Sequence, residues 1–547
     1  MTDEVFDYVV IGAGTAGCVV AGRLSENGKF RVCVLEAGPP DRNPFIHIPA
    51  GVLYTLRNPA INWMYKGVGS PGLAGRAIDH ARGRTLGGSG SINGHIYNRG
   101  QKADFDTWAQ LGNRGWSYAD VLPYFMKSEN KLGGGDVGYH GKGGAFTITE
   151  NDEPDPLSDA FIDAAVNLGI PRNSDYNGRT QEGVAYAQRS VHRGRRVSPA
   201  RSFLHPARRR GNTKVVTNAH VLGIDIDGAR ATGVRYQLER GANKGHTVRA
   251  TREVILCAGA MGSPHILELS GIGSGARLQS LGINVVRNVP GVGENFRDHF
   301  AVRLITRMHG IETINERVRG LPLIREVIRY GFGRQGALAL TPTLVYCFWK
   351  SEPSLENGDI QITFAPASYP GGVQSGLDRF SGATVACWQQ RPESAGHVHA
   401  VSSDPFVRPE IQGNYLAEET DRRTLLAAMR LGQKIMATAP FSTYVAEEIW
   451  PGPDRIHDAD LLAHARETGN TAYHPMGTCR MGSADRPDSV VDDQLRVHGI
   501  EGLRVADASI MPTMLSANLN AGALMIGEKA ADLLMAAAES PLSGGRQ

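Results

Sequence analysis

The stretch FDYVVIGAGTAG, beginning at Phe6, limits the possible folds more than any other part of the chain. A short β-rich run at residues 6–11 opens into Gly12, Gly14 and Gly17, spaced G-x-G-x-x-G, and the helical sequence CVVAGRLSEN follows. A second apolar run, FRVCVLEAG, then carries Glu36 at its end. Strand, glycine turn, helix and a second strand ending in an acid form the opening unit of a dinucleotide-binding α/β domain. Gly12 makes the tight turn, Gly14 admits a pyrophosphate close to the backbone, and Gly17 lets the helix pack on the strand. Ala13, Thr15 and Ala16 complete the turn, whose free N–H groups face the phosphates. Glu36, with Ala37 beside it, is expected to bond ribose hydroxyls, and its charge disfavours a 2′-phosphate. NAD and FAD both satisfy this much.

At 547 residues the chain is long enough for two large domains. With 41% apolar and 21% charged residues it has the composition of an ordinary globular protein, but its 67 glycines call for many tight turns. A net charge of +3 gives no general case for nucleic acid. The local exception is HRGRRVSPARSFLHPARRR, residues 192–210, with seven arginines. No aromatic platform accompanies it, and Ser198-Pro199 suits a helix start, so it reads as a solvated loop entering a helix. Cys18, Cys33, Cys257, Cys347, Cys387 and Cys479 form no CxxC pair, which argues against zinc or a disulfide framework, and no metal is expected. No signal peptide fits before the first strand, and no apolar run reaches the roughly 18 residues of a membrane span. The chain reads as soluble and cytoplasmic.

Three further segments point to the same nucleotide. RGRTLGGSGSING, residues 82–94, is a glycine–serine loop whose N–H groups and hydroxyls can wrap a pyrophosphate or a flavin edge. REVILCAGAMGSPHILELSG, residues 252–271, is a buried strand, the turn Ala258-Gly259 and a helix. EGLRVADASIMP, residues 501–512, is a strand ending in Asp507, which either holds the ribityl or diphosphate region or caps the following helix.

LGGSGSING, AGAMGSPHILELSGIG, PGVGENFRDH, YHPMGTCRMG and ANLNAGALMIGEKAADL occur in this order, and together they resemble the glucose–methanol–choline family of FAD oxidoreductases, nearest its choline-dehydrogenase-like branch. The resemblance spans nearly the whole chain. It implies an α/β fold, α+β overall, in which a Rossmann-type FAD domain is interrupted by a substrate domain with a mixed or antiparallel sheet covered by helices. The FAD domain is expected at residues 1–154, 213–299 and 467–547, and the substrate domain at 155–212 and 300–466. Within the second, GATVACWQQ and GHVHAVSS alternate as half-buried strands do, and residues 420–439 have helical spacing. Arg84, Leu86, Gly87, Gly88, Ser89, Asn93, Gly94, Val221, Ala258, Gly259, Asp507 and Ala508 join the first glycine turn as cofactor-binding candidates. Where some members attach FAD through a histidine, this chain has Ile92, and His95 does not occupy that place; FAD is therefore expected to be non-covalent.

His474, in NTAYHPMGTCRMG, has four readings: metal ligand, partner of a nucleophilic Cys479, packed histidine, or acid–base catalyst. The resemblance selects the last, and it matches Asn520 to the partner that steadies the alcohol oxygen; Asn518 is assigned to supporting the loop or FAD. Tyr473 and Trp388 are candidates for lining the substrate pocket. The implied reaction is oxidation of a primary alcohol to its aldehyde, with oxygen or a quinone-type carrier taking the electrons. A hydroxynitrile lyase on the same flavin fold, with no net redox change, is the alternative. The particular alcohol and the oligomeric state are not legible.

Overall fold

The computed structural model describes residues 4–151, 153–238, 245–369 and 375–539. Two seven-stranded sheets organise them. In the first, Thr213–Thr217, Val32–Glu36, Glu4–Ile11 and His246–Leu256 lie side by side in parallel. His246–Leu256 serves two neighbours along its length. Its beginning pairs antiparallel with Arg230–Gln237, which leads to His220–Asp227, and its end pairs parallel with Leu503–Val505. Val9, Val10, Val34, Val254 and Ile255 are all fully buried, because helices and loops cover both faces of a parallel sheet.

The helix Thr15–Leu24 leaves the first strand at Gly14 and packs along the last helix, Asn520–Glu539. Gly527 permits the approach: a Cβ there would sit 2.8 Å from the Val19 Cβ. This crossing brings the start of the last helix to the first glycine turn, although the two lie at opposite ends of the sequence.

The second sheet runs Val445–Trp450, Phe300–Met308, Gly382–Gln389, Ile360–Ala365, Val345–Trp349 and Gly183–Tyr186, antiparallel throughout, with Asn470–Thr471 also paired to Phe300–Met308. Strand alternation gives it two different faces. Val302, Leu304, Ile362, Phe364, Val385 and Cys387 pack into a core with the helices Pro156–Asn167 and Glu419–Met436. Ala301, Arg303, Thr363, Thr384, Ala386 and Trp388 face a cavity instead. The alternation of GATVACWQQ therefore separates core from cavity, not core from solvent.

The arginine-rich segment also differs from its expected form. It enters the helix His205–Arg209 through a π-helical turn, Ala200–Leu204, with Ser198 Oγ accepting the Arg201 N–H at 3.3 Å. Arg196 is buried, not solvated: it donates to the Ile46 carbonyl at 2.7 Å and the Asn93 carbonyl at 2.9 Å. One member of the cluster thus holds the glycine–serine loop in place. Among the described residues no helix is long and apolar enough to cross a membrane.

Candidate active site

One continuous cavity of about 610 Å³ runs from Glu36 past the glycine turns to His474, between the two sheets. At its nucleotide end the backbone is crowded in a way only glycine allows. Gly12 has φ +96°, and a Cβ there would lie 2.5 Å from the Cys257 carbonyl oxygen. Gly17 lies directly beneath, where a Cβ would meet the Gly12 carbonyl oxygen at 2.0 Å. The glycine–serine loop closes over this turn, with the Gly87 N–H donating to the Ala13 carbonyl at 2.7 Å. Gly88 rests so near Gly14 that a Cβ would be 2.7 Å from its Cα.

Gly14, Thr15, Ala16, Ala37, Arg84, Gly88, Ser89, Asn93, Gly94, Val221, Ala258, Gly259 and Ala508 border the cavity. Ala13, Gly17, Leu86 and Gly87 stand behind that lining and shape it. Glu36 also borders the cavity, but its carboxylate accepts the N–H groups of Ala13 at 2.9 Å and Gly38 at 2.8 Å. Burial outweighs those bonds and raises its pKa to about 7. Asp507 borders the cavity and also caps the turn that follows it. It accepts from Gly259 N–H at 2.8 Å, Ser263 Oγ at 2.6 Å and Ser509 N–H at 2.8 Å, which ties the turn before one helix to the strand end beside it. Trp388 Nε1 and His265 Nε2 are buried beside the cavity without a hydrogen-bond partner among the described residues. A glycine-crowded turn, an acid at the strand end and unmet polar atoms along one continuous cleft fit FAD.

At the other end of the cavity lies His474. Its neighbour Tyr473 adopts φ +66°, a left-handed conformation costing a non-glycine residue on the order of 1 kcal/mol. The conformation is held from both sides: the Tyr473 N–H donates to Thr471 Oγ at 2.7 Å, and Arg82 Nη1 donates to the Tyr473 carbonyl at 2.9 Å. Pro475 keeps His474 itself extended, and the His474 N–H is fixed on Asp298 Oδ1 at 2.8 Å. Asp298 also accepts from Tyr415 at 2.7 Å and from Thr471, yet burial raises its pKa to about 6.

The imidazole takes part in a chain whose polarity has one solution. His299 Nε2 lies 2.7 Å from the Gln390 carbonyl, which can only accept, so Nε2 carries the proton. His299 Nδ1 is then a lone pair, and His474 Nδ1, 2.9 Å away, must donate to it. That leaves His474 Nε2 unprotonated, accepting the Asn518 amide at 3.0 Å, while Asn518 Oδ1 accepts from Tyr346 at 3.2 Å. The protein thus selects the tautomer whose unprotonated nitrogen borders the cavity, where the Asn518 amide occupies its lone pair. Burial first, then His299 and Arg82, lower the His474 pKa well below its ordinary value. Burial likewise lowers His299 to about 4. Cys479 is buried with its thiol pKa driven far up, unlike a nucleophile.

Asn520 is not at this end of the chain of bonds. Its Oδ1 accepts from Thr15 Oγ at 2.9 Å, at the first glycine turn, and the residue beside His474 is Asn518. The two asparagines flank Leu519 at the start of the last helix and face different parts of the cavity. His299 and Asp298 are site residues that sequence reasoning misses; the only available signal is the end of the PGVGENFRDH block. Tyr473 and Trp388 both border the cavity near the second sheet.

Comparison with known proteins agrees in outline. Family models described as GMC oxidoreductase match residues 6–301 and 392–527. An oxygen-dependent choline dehydrogenase of Brucella suis biovar 1 (strain 1330) is 38% identical over 543 residues, 99% of this chain and 97% of its own. One from Photobacterium profundum is 38% identical, covering 99% of this chain and 94% of its own. Among solved structures, pyridoxine 4-oxidase from Mesorbium loti superposes with TM-score 0.85 at 29% identity, over 96% of this chain and 98% of that one. A formate oxidase of Aspergillus oryzae RIB40, studied for its FAD modification, superposes with TM-score 0.90 at 28% identity, over 98% and 99%.

Proposed function

The chain belongs to the GMC oxidoreductase family, and from that premise we propose that it oxidises a primary alcohol to the aldehyde, with His474 as the base and Asn518 as the donor to the alcohol oxygen. As a member it is an FAD-dependent oxidoreductase acting on the CH–OH group of its donor. The observation that carries the finer reading is the chain from Gln390 through His299 and His474 to Asn518, because it leaves a lone pair on His474 Nε2 at the cavity.

Oxidation removes a proton from the hydroxyl and a hydride from the carbon. Bound FAD supplies the acceptor for the hydride. The alcohol enters between His474 and Asn518, donating its proton to Nε2 and accepting from the Asn518 amide. Full transfer from an alcohol of water-like acidity to free imidazole costs about 12 kcal/mol. The lowered basicity of His474 widens that gap, which favours proton loss together with hydride transfer over a free alkoxide. Asn518 offsets part of the developing charge. His299 Nδ1 faces the N–H of the imidazolium that results, with the Gln390 carbonyl behind it.

Two expected results test this. Asn518→Ala lowers the rate of flavin reduction by roughly 100-fold with flavin content unchanged. Asn520→Ala, which releases Thr15 from the last helix, acts mainly on flavin content; the reverse pattern contradicts the assignment. A protonated base cannot accept a proton, so activity falls only where His474 titrates. Because that pKa is lowered, kcat/KM stays level as pH drops through about 6.5 and declines only well below it. An acid limb centred at or above about pH 6.5 contradicts the reading.

FAD is held without a covalent link in this reading. Ile92 is buried at the loop and offers no nucleophile, and His95 is engaged by the Pro49 carbonyl at 3.0 Å. Acid precipitation is expected to leave the yellow flavin in the supernatant; flavin retained in the pellet contradicts it. Oxygen fits as the final electron acceptor, with a quinone-type carrier as the alternative. Six buried free thiols suit a reducing compartment, in keeping with a cytoplasmic location. The five-segment division of the chain, from 1–154 to 467–547, is supported by which strands enter each sheet, apart from Asn470–Thr471, which joins the second sheet from within the last segment.

A further inference from the structure

We propose that Arg303 binds an anionic group on the substrate, so that the enzyme takes alcohols bearing a carboxylate, sulfonate or phosphate in preference to neutral or cationic ones. The proposal rests on the alcohol-oxidation reading above and names its substrate class.

Arg303 stands in the Phe300–Met308 strand four residues after His299, the partner of the base. Residues two apart share a strand face, so Ala301 and Arg303 point the same way, into the cavity. At about 3.3 Å per residue the Cα atoms of His299 and Arg303 are about 13 Å apart. Across the sheet, Arg303 pairs with Ala386, Ala386 with Thr363, and Thr363 with Tyr346, whose hydroxyl holds Asn518. Three steps of about 4.8 Å put the arginine about 14 Å from that strand position. Arg303 and the His474–Asn518 pair therefore border one chamber from two sides.

No carboxylate answers this charge. Among the described residues Arg303 forms no ion pair, and the groups acting on it electrostatically are the phenols of Tyr473 and Tyr369. The acidic residues that border the cavity, Glu36 and Asp507, lie at the nucleotide end and are engaged by their own neighbours. Burial without an anion lowers the arginine's pKa below its ordinary value. A guanidinium held in a ligand cavity without a carboxylate is met best by an anion from the ligand, and its planar fork suits a carboxylate with two parallel bonds. A quaternary ammonium alcohol would meet like charge here, although the relatives compared above carry choline dehydrogenase in their name.

The test uses the FAD-loaded enzyme and matched para-substituted benzyl alcohols, read by anaerobic bleaching of the flavin. The ring carries carboxylate, sulfonate or phosphate in the anionic arms, methyl in the neutral arm and trimethylammonium in the cationic arm. The expected result is a second-order rate constant of flavin reduction for at least one anionic arm about 100-fold above the neutral one, with the cationic arm lowest. In R303Q the anionic-to-neutral ratio falls towards one, R303K keeps part of it, and R303E favours the cation. Neutral or cationic alcohols that match the anionic ones in the unaltered enzyme overturn the proposal without any variant. So does an anionic preference that survives R303Q. A second readout separates this from the reaction itself: 4-methylbenzoate, which has no hydroxyl, is titrated against the flavin spectrum. If no alcohol bleaches the flavin but 4-methylbenzoate binds and R303Q abolishes its binding, the oxidation reading fails and the anion site stands. Equal binding to both forms overturns the anion site.

Discussion

Replacing His474 with alanine is expected to slow flavin reduction by alcohol about 1,000-fold, within the range for loss of a positioned general base. The flavin should remain bound, because the bonds of His474 run to His299, Asp298 and Asn518 and not to the glycine turns. The loss should fall on the reduction rate far more than on substrate affinity, since the base acts as the proton moves. Rapid-mixing absorbance measurements under anaerobic conditions separate the two. A loss smaller than about tenfold means the proton goes elsewhere. His299 is then the nearest alternative, but its ring is already committed to Gln390 and His474 at 2.7 and 2.9 Å.

The second large effect is expected at the opposite end. Gly12→Ala adds a Cβ 2.5 Å from a main-chain oxygen, at a residue whose φ of +96° disfavours any side chain. Neither the strand Glu4–Ile11 nor His246–Leu256 can yield, because they are hydrogen-bonded neighbours in the buried sheet. The variant is expected to purify without flavin or to fail to accumulate, read as the ratio of visible to ultraviolet absorbance. Gly28→Ala is the control: it also has positive φ, +68°, but a Cβ there meets nothing within 4 Å. A yellow, active Gly12→Ala protein contradicts the close packing of the turn.

The parts legible in sequence are those built from neighbouring residues. The turn at Gly12, Gly14 and Gly17 and the acid at Glu36 follow from a local pattern, and their positions along the cavity agree with it. Asn518 and Asn520 show the limit. Both asparagines sit in LSANLNAG, and only the direction in which the chain enters the helix at Asn520 decides which of them meets His474. His299 is hidden for a related reason: it lies 175 residues from His474, and the pairing of Phe300 with Thr471 and of Arg297 with Met476 brings the two together. Arg196 reads as a solvated charge within its arginine-rich loop. Nothing local marks Arg303, because strand alternation looks the same whether the second face meets water or a cavity. Asp507 can be read either as a ligand or as a cap, and its three short bonds to protein groups favour the cap.

The most direct test of alcohol oxidation at this site is the anaerobic visible spectrum of the purified enzyme before and after a panel of primary alcohols is added. The predicted result is a flavin band that bleaches with at least one alcohol, more slowly when the carbinol hydrogens are deuterium, with one equivalent of aldehyde formed. A flavin band unchanged by every alcohol would contradict it and return the weight to a lyase on the same fold.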